Sequence, residues 1–295
     1  MNKGLSPSRQ MWNRVMTALV WASAVLVMVL VAGIIGMVLV RGIPHISWKF
    51  LSTTASVLKK TDGILPAILN TLYVIVLTLL IVLPLGVGAA VYLTEYASNR
   101  RLIEVIEFTN ETLAGIPSII YGLVGMLVFS QALGFQTCLL SGSLTLAIMI
   151  LPLIMRTTEE ALKSVPDSYR EGSFGLGAGR LRTVFRIVLP SAMPGILAGI
   201  ILAIGRIVGE TAALLYTAGT VANYPRAVAP AGSNWLQQGL SVFMSSGRTL
   251  SLHMYVLSGE ALYIDQAYAT AVVLLVVVIG INALSSLIAK KITKG

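Results

Sequence analysis

The chain has 295 residues, of which 56% are hydrophobic and 11% are charged, and its mean hydropathy is +0.85. Soluble domains carry about 25% charged residues, so this composition excludes a soluble globular fold and indicates an integral membrane protein. The net charge of +9 does not indicate nucleic-acid binding, because no basic run alternates with aromatic residues and most Lys and Arg flank apolar segments.

Six apolar segments approach or exceed the roughly 20 residues that cross about 30 Å of hydrocarbon as a helix. We therefore predict an all-α membrane protein with six transmembrane helices. The first segment is too long for the core of a signal peptide and no A-x-A site follows it, so we expect a retained anchor. The fourth is short and is expected to take residues from both sides. In chain order the segments are residues 15–40, 64–93, 108–135, 143–155, 187–218 and 267–289.

The distribution of Lys and Arg predicts that both termini are cytoplasmic, because positive loops tend to remain inside. Trp48 and Trp235 fall in the outer connections, where aromatic residues commonly anchor at the interface. The inner set is Lys3, Arg9, Arg14, Arg100, Arg101, Arg156, Lys163, Arg170, Arg180, Arg182, Arg186, Lys290, Lys291 and Lys294. The smaller outer set is Arg41, Lys49, Lys59, Lys60, Arg226 and Arg248.

Glycine and proline recur inside the second, third and fifth segments, and two explanations stay open. Small residues let transmembrane helices approach closely, whereas kinked helices can line a polar path. Metal binding is not expected, since Cys138 is the single cysteine and the two histidines, His45 and His253, are far apart and are expected to be surface or hydrogen-bonded residues.

The charged connection at residues 156–186 is predicted to form a helix-turn-helix along the cytoplasmic surface. Thr157 and Glu160 have the spacing of a capping box. Pro166 suits the start of a second helix, and the glycines from Gly175 to Gly179 permit a sharp turn before the next basic residues. An ordinary basic loop remains the alternative.

This connection resembles the permease loop of binding-protein-dependent ABC importers. The family pattern is E-A-A, a Gly six residues after the Glu, nine further residues, and I-x-L-P. The matching residues are Glu171, Gly177, Ile187, Leu189 and Pro190, whereas Gly172 and Ser173 stand where the family has alanines. The resemblance implies a type I permease fold whose loop forms a coupling helix that docks on the ATP-hydrolysing subunit.

Four longer stretches, beginning at Asn70, Ala114, Leu151 and Gly205, resemble one of the two homologous permeases of phosphate-specific importers. The resemblance implies a substrate, inorganic phosphate, and four kinds of partner: a second permease, an ATPase dimer that binds ATP and Mg²⁺, an extracytoplasmic phosphate-binding protein and membrane lipid. It also implies a bacterial inner-membrane location, with residues 1–63 as an N-terminal segment, 64–289 as the permease domain and 290–295 as a tail.

The sequence contains no motif for catalysis by the chain itself. G-x-x-x-x-G-K-[ST] does not occur, so the ATPase is expected to be a separate chain. Glu159 and Glu160 are adjacent and point to different faces of a helix, so they are interpreted as surface charges rather than an acid and base.

Arg206 and Glu210 are the strongest candidates for the substrate path. Arg206 follows Pro190 by sixteen residues, about 24 Å along a helix, and a charge at that depth costs roughly 2.5–3.5 kcal/mol on insertion scales. The two residues would share a helix face at i,i+4 and neutralise each other, but two apolar residues would avoid the cost altogether. A guanidinium matches an oxyanion, and a carboxylate can accept the proton of hydrogen phosphate.

Arg156 and Thr211 are weaker candidates for the same path. Arg156 lies at the predicted inner end of the fourth segment, where an interfacial anchor explains it as well. Thr211 could donate its hydroxyl. Two other functions stay open: the same architecture for sulfate, molybdate or phosphonate, and a secondary transporter driven by an ion gradient. The coupling-loop pattern and the lack of two similar inverted halves argue against the second.

Overall fold

The structure, a computed structural model, describes residues 6–56, 61–222, 224, 234, 241–259 and 263–293. Lys3, Lys59, Lys60, Arg226, Trp235 and Lys294 therefore lie outside the described residues. Most of the described chain is helical, and its β-structure is a two-stranded antiparallel hairpin. The first elements are α1 (Pro7–Gly42) with a short 3₁₀ turn (Ile43–His45), α2 (Trp48–Ser52), and strands β1 (Thr54–Ser56) and β2 (Thr61–Ile64).

The middle of the chain forms the centre of the bundle. Its elements are α3 (Leu65–Val91) with a π-helical turn (Tyr92–Tyr96), α4 (Arg100–Ala114), α5 (Ser118–Gly125) with a π-helical turn (Met126–Ala132), and α6 (Leu139–Lys163). The remaining elements are α7 (Asp167–Gly175), α8 (Arg180–Thr183) with a π-helical turn (Val184–Val188), α9 (Leu189–Gly209), α10 (Ala212–Thr217), α11 (Leu250–Gly259) and α12 (Ile264–Thr293).

In the described residues five helical stretches are long and apolar enough to cross a membrane: Ser8–His45, Leu65–Tyr96, Leu139–Lys163, Arg180–Gly209 and Ile264–Leu287. A sixth crossing is possible where Arg100–Ala114 and Ser118–Ala132 form one pair bent by 99°. The six-span prediction holds when this pair counts as one broken span. The fourth span does take residues from both sides, as expected.

Two predicted spans are wrong in detail, because each is interrupted. The third was predicted as one helix over residues 108–135, but Pro117 follows Ile116 at the bend, and a residue before proline is disfavoured in the helical region. The fifth was predicted over residues 187–218, but it begins at Arg180 and stops at Gly209. A separate short helix, α10, then follows.

The capping box predicted at Thr157 and Glu160 is also wrong. Both residues lie inside α6, whose last residue is Lys163, so no helix begins there. The Thr157 hydroxyl instead donates to the carbonyl oxygen of Leu153 at 2.9 Å, a bond that a threonine inside a helix commonly makes.

Helix α6 lies at the centre and contacts α3, α5 and α9. The core on its sides consists of branched aliphatic residues, including Val74, Leu146, Ile150, Ile154 and Ile204. Helices α6 and α9 approach closely at two glycines: a Cβ placed on Gly195 would lie 2.6 Å from the Cβ of Ala161, and one on Gly199 would lie 2.7 Å from the Cβ of Thr157. Helix packing thus accounts for these glycines.

The bundle has two ends, the α7 end and the hairpin end, called after the elements that lie there. At the α7 end, Val91, Leu162, Val184 and Val188 join α3, α6 and the start of the fifth span. At the hairpin end, Phe50, Ile64, Ala67, Leu250 and Ala269 form a second small core. Helix α1 contacts α12, and none of the residues in its most apolar stretch is buried within the chain.

Candidate functional site

The centre of the candidate site is the break between α9 and α10. Glu210 directly follows the last residue of α9 and has an extended backbone with ψ of 128°. Its carbonyl oxygen accepts a hydrogen bond from Ser251 Oγ at 2.8 Å, and its carboxylate Oε1 accepts one from the backbone N–H of Ala213 at 3.1 Å. The carboxylate therefore binds near the start of α10, where free N–H groups and the helix dipole favour an anion.

The predicted i,i+4 pairing of Arg206 with Glu210 on one helix face is wrong. Arg206 belongs to the last turn of α9, whereas Glu210 lies beyond the helix end. Among the described residues no ion pair joins the two side chains, and the recorded hydrogen bond of the Glu210 carboxylate goes to Ala213. The self-neutralising pair that could have made this helix insertable is absent from this part of the chain.

The packing of α9 on α6 places Arg206 near the middle of the bundle. Gly195 faces Ala161 and Gly199 faces Thr157, so the helices are antiparallel and residue 206 falls at the level of residue 150. At 1.5 Å per residue this level lies about 16 Å from the start of α6 and about 20 Å from its end. The side of α9 that carries Arg206 is exposed, while Ala203, Ile204 and Ile207 are buried.

A charged side chain exposed at this depth must meet water or protein, because contact with lipid is costly. Arg206 is exposed, and Glu210 and Thr211 are half-buried. Tyr121 of α5 lies within electrostatic range of the Arg206 guanidinium, and its hydroxyl donates to the carbonyl oxygen of Leu113 at 2.8 Å. The break thus has a guanidinium, a carboxylate and the Thr211 hydroxyl within six consecutive residues, with the buried Tyr121 in the neighbouring helix α5.

Arg156 lies on the central helix α6, about 10 Å nearer the α7 end than the level of Arg206 on α9. Its Nε lies 3.1 Å from Glu160 Oε1, and both side chains are exposed. Arg156 is seven residues before the end of α6 rather than at it. The structure gives it a partner on its own helix and leaves its role on the path a prediction.

The interpretation of both glutamates as surface charges is correct for Glu160 and wrong for Glu159. Glu159 is buried, and its Oε2 lies 3.8 Å from Nζ of Lys163. The same ammonium lies 3.7 Å from Oε1 of Glu107 on α4. The reason is the crossing of α4 over α6, which the local sequence does not reveal.

The predicted helix-turn-helix is present at the α7 end. Helix α7 starts after Pro166, and Gly177 makes the turn with φ of +82°, a value that favours glycine. Glu171 is exposed on α7. Ile187 lies in the π-helical turn, and Leu189 and Pro190 begin α9. Gly177 and Ile187, together with Arg182 and Arg186, line a cleft of about 810 Å³ between α7 and the fifth span.

The histidines behave differently from each other. His45 Nε2 lies 3.7 Å from Asp265 Oδ2. His253 is buried, and neither ring nitrogen has a hydrogen-bond partner within the described residues, so the expectation of a surface or hydrogen-bonded histidine is wrong for it. Among all the residues that the structure describes, no group of three His, Cys, Asp or Glu side chains is arranged to hold a metal ion.

Sequence reasoning missed Tyr121 and Ser251. Tyr121 lies in an apolar stretch after a proline, and Ser251 follows the long connection of residues 219–249, so neither carries a local signal of function. Both reach the break through tertiary packing: α5 packs on α10, where a Cβ on Gly122 would lie 2.8 Å from the Cα of Ala213, and α11 brings the Ser251 hydroxyl to Glu210.

The helical bundle, the coupling-type loop and the broken fifth span define a transmembrane permease of the ABC importer class. The chain belongs to the family of binding-protein-dependent transport system inner membrane components, which matches residues 82–294. The resemblance to permeases of this family is therefore confirmed, and the chain is a multi-pass membrane transport subunit.

Three relatives of known sequence are named as permeases, and two of them are named as phosphate transport permeases. The probable ABC transporter permease YqgI of Bacillus subtilis is 40% identical over 177 residues, or 60% of each chain. The phosphate transport system permease PstA 1 of Mycobacterium tuberculosis is 36% identical over 77% of this chain and 69% of its own length. PstA of Haemophilus influenzae is 33% identical over 71% of this chain and 74% of its own.

Solved structures of ABC importers share the fold. The bacterial alginate transporter bound to its periplasmic protein superposes with a TM-score of 0.68 at 16% identity, over 97% of this chain and 98% of the other. The inward-facing methionine transporter MetNI has a TM-score of 0.58 at 20% identity, over 78% and 94%. At these identities the similarity concerns the fold alone, and it confirms the type I permease architecture.

Proposed function

We propose that this chain is one of two permease subunits of an ATP-driven importer that moves inorganic phosphate across the bacterial inner membrane. The substrate is supported by the PstA relatives, which are phosphate transport system permeases and align over more than 70% of this chain. The observation in the structure that carries the proposal is Arg206, an exposed guanidinium about midway through the bundle.

The exposed side of Arg206 would face the second, homologous permease, and the two chains together would enclose the path. Burial against that partner would remove the guanidinium from lipid, water in the path would solvate it, and the anionic substrate would supply its counter-charge. A guanidinium presents planar, paired donors to an oxyanion and stays charged at every relevant pH. Arg206 would therefore bind the phosphate oxygens.

Glu210 and Thr211 would complete the recognition of hydrogen phosphate. A carboxylate has two oxygens that accept hydrogen bonds, so the bond from Ala213 to Oε1 leaves capacity for the proton of the substrate. Fully ionised sulfate has no such proton, and a site that then holds an unpaired acceptor discriminates against it. Arg156, nearer the α7 end, would be a second contact as the anion leaves.

The other components would be separate chains. A dimeric ATPase that binds ATP and Mg²⁺ would dock on the coupling loop, with Glu171 and the cleft beside Gly177 and Ile187 as contacts. Leu189 and Pro190 would join that loop to α9. An extracytoplasmic phosphate-binding protein would deliver substrate at the hairpin end. In this orientation the α7 end is cytoplasmic, as are both termini, and residues 1–63, 64–289 and 290–295 keep the predicted domain roles.

The test is uptake of labelled phosphate by cells or vesicles that carry the complete importer with Arg206→Gln. We expect uptake to fall to background while the complex still assembles, because glutamine lacks the charge and the paired donors. Arg100→Gln is the matched control, since Arg100 is exposed and pairs with Glu104 at 3.0 Å outside the candidate path. Normal uptake by the Arg206 variant would refute the role of this residue.

Competition experiments separate a phosphate importer from an importer of the same architecture that carries another oxyanion. An excess of unlabelled phosphate is expected to block uptake, whereas sulfate, molybdate and phosphonate are not. Uptake that continues after deletion of the ATPase would instead indicate a transporter driven by an ion gradient.

A further inference from the structure

Arg170 occupies an unusual position on the buried side of α7. Its Nη2 donates to Glu95 Oε1 at 2.7 Å, and its Nε lies 3.3 Å from the same oxygen. Glu95 belongs to the π-helical turn that ends α3 and is 75 residues away in the chain. The side chains are 16% and 8% exposed, so the pair is largely shielded from water.

The same guanidinium also binds the end of α6. Nη1 donates to the carbonyl oxygen of Val165 at 2.9 Å, and Nη2 donates to that of Leu162 at 3.0 Å. The last carbonyl groups of a helix have no partner within it, and a cation there is favoured by the helix dipole. One side chain on α7 thus holds the ends of two membrane-spanning helices, α3 and α6. These contacts are called the Arg170 junction below.

The same face of α7 is also attached to the fifth span. Ser173, one helical turn after Arg170, is buried, and its hydroxyl lies 2.8 Å from that of Thr183 in α8. In contrast, Tyr169, Phe174 and Leu176 are 51%, 47% and 91% exposed. Helix α7 and the residue after it therefore present large apolar side chains outward, while its inward face is attached to α3, α6 and the fifth span.

The Arg170 junction differs from the other ion pairs in the described part of the chain. It is the one whose two side chains are each less than a fifth exposed, and exposed pairs contribute little because water and salt screen them. The other carboxylate partner of Arg170 is Asp167, whose Oδ1 lies 3.1 Å from Nη1 and whose side chain is 87% exposed. The hydrogen bond from Arg170 to Glu95 raises the pKa of Arg170 above its ordinary value, so the guanidinium remains charged.

We propose that the Arg170 junction transmits movement of α7 to α3 and α6, with Arg170 and Glu95 acting as positioning residues for coupled transport. Several short hydrogen bonds from one planar group resist both sliding and rotation, because each change of angle breaks more than one bond. A displacement of α7 then moves the ends of α3 and α6 together, and α6 carries Arg156. This inference rests on the proposed function, in which an ATPase moves α7.

The test uses the complete importer in lipid vesicles, with both permeases, the ATPase and the phosphate-binding protein. The measured quantity is the phosphate transported per ATP hydrolysed. Glu95→Gln keeps the shape of the side chain and removes its charge. We expect ATP hydrolysis to continue while phosphate moved per ATP falls about tenfold, within the range typical of coupling between two sites.

Two further variants make the result specific. Arg170→Lys keeps the charge and loses the planar, multidentate geometry, so we expect an intermediate fall in the ratio. Glu104→Gln removes an exposed ion pair on the neighbouring helix α4 and is expected to leave the ratio unchanged.

Three outcomes would overturn the proposed junction. These are an unchanged ratio in Glu95→Gln, a ratio in Arg170→Lys equal to that of the wild type, and a loss of assembled complex that by itself accounts for the lost transport. A wild-type complex that moves another oxyanion and not phosphate would overturn the proposed substrate alone, because the ratio for that oxyanion then tests the junction.

Discussion

Two glycines on α3, Gly86 and Gly88, allow a controlled test of how the central helices pack. Gly86 is buried against α6: a Cβ there would lie 2.7 Å from Cγ2 and 3.1 Å from Cβ of Ile154. Gly88 is exposed, and a Cβ there would meet no atom of the described chain within 4 Å. The two alanine variants thus place the same methyl group on opposite sides of one helix.

The magnitudes follow from two opposing effects. Alanine is favoured over glycine inside a helix by up to about 1 kcal/mol, and both variants receive this gain. Overpacking of a dense core costs about 1–3 kcal/mol, and Gly86→Ala alone incurs it, because Ile154 is β-branched and fully buried and has no free rotamer to adopt. We therefore expect Gly88→Ala to be more stable than Gly86→Ala by about 1–3 kcal/mol.

The assay is thermal unfolding of the purified permease complex in detergent, followed by intrinsic fluorescence. In domains of 150–250 residues, 1 kcal/mol shifts Tm by about 2–4 °C, so the two variants should differ by at least about 2 °C. Equal Tm values for both variants would refute the close approach of α3 and α6 at Gly86. A lower Tm for Gly88→Ala than for Gly86→Ala would indicate that the exposed side of α3 is covered by another chain.

Two further predictions concern single contacts. Thr71→Val keeps the shape of the side chain but removes the oxygen that accepts from Leu250 N–H at 2.9 Å. The buried N–H then has no acceptor, so the free energy of unfolding should fall by about 1–3 kcal/mol. The control Thr109→Val, at an exposed site, should change stability little. Gly177→Ala forces alanine into φ of +82° at a cost of about 1–2 kcal/mol and should destabilise the turn after α7. We expect faster proteolysis of this loop than in the control Gly175→Ala. Equal proteolysis rates in the two variants would contradict this strain.

Much of the architecture could be predicted from composition and motif spacing. Crossing a bilayer demands long apolar helices whatever their partners are, so the spans were recognisable without tertiary information. The helix-turn-helix of the coupling-type loop was also predictable, because Pro166 and Gly177 set the start of α7 and the turn after it, whereas its coupling role was implied by the resemblance to importer permeases. The fourth span shows the same principle, since the helix continued through polar residues on both sides of its apolar centre.

The positions of the breaks depended on contacts between distant residues. Nothing near Glu210 marks a helix end except Gly209, and other glycines of the second and fifth spans, such as Gly86 and Gly199, lie inside continuous helices. The end of α9 is stabilised by the Ser251 hydroxyl, 41 residues away. A pattern of residues at i and i+4 could therefore suggest a shared face for Arg206 and Glu210 that the chain does not form.

The sequence by itself determined that a guanidinium and a carboxylate lie deep in a membrane-spanning segment, because hydropathy and helix rise depend on local composition. Only the tertiary structure decided how they are presented. The packing of α9 on α6 leaves Arg206 on the exposed side, and the start of α10 binds the carboxylate of Glu210. Orientation and pairing are consequences of which helices touch, and those contacts join residues that are far apart in the chain.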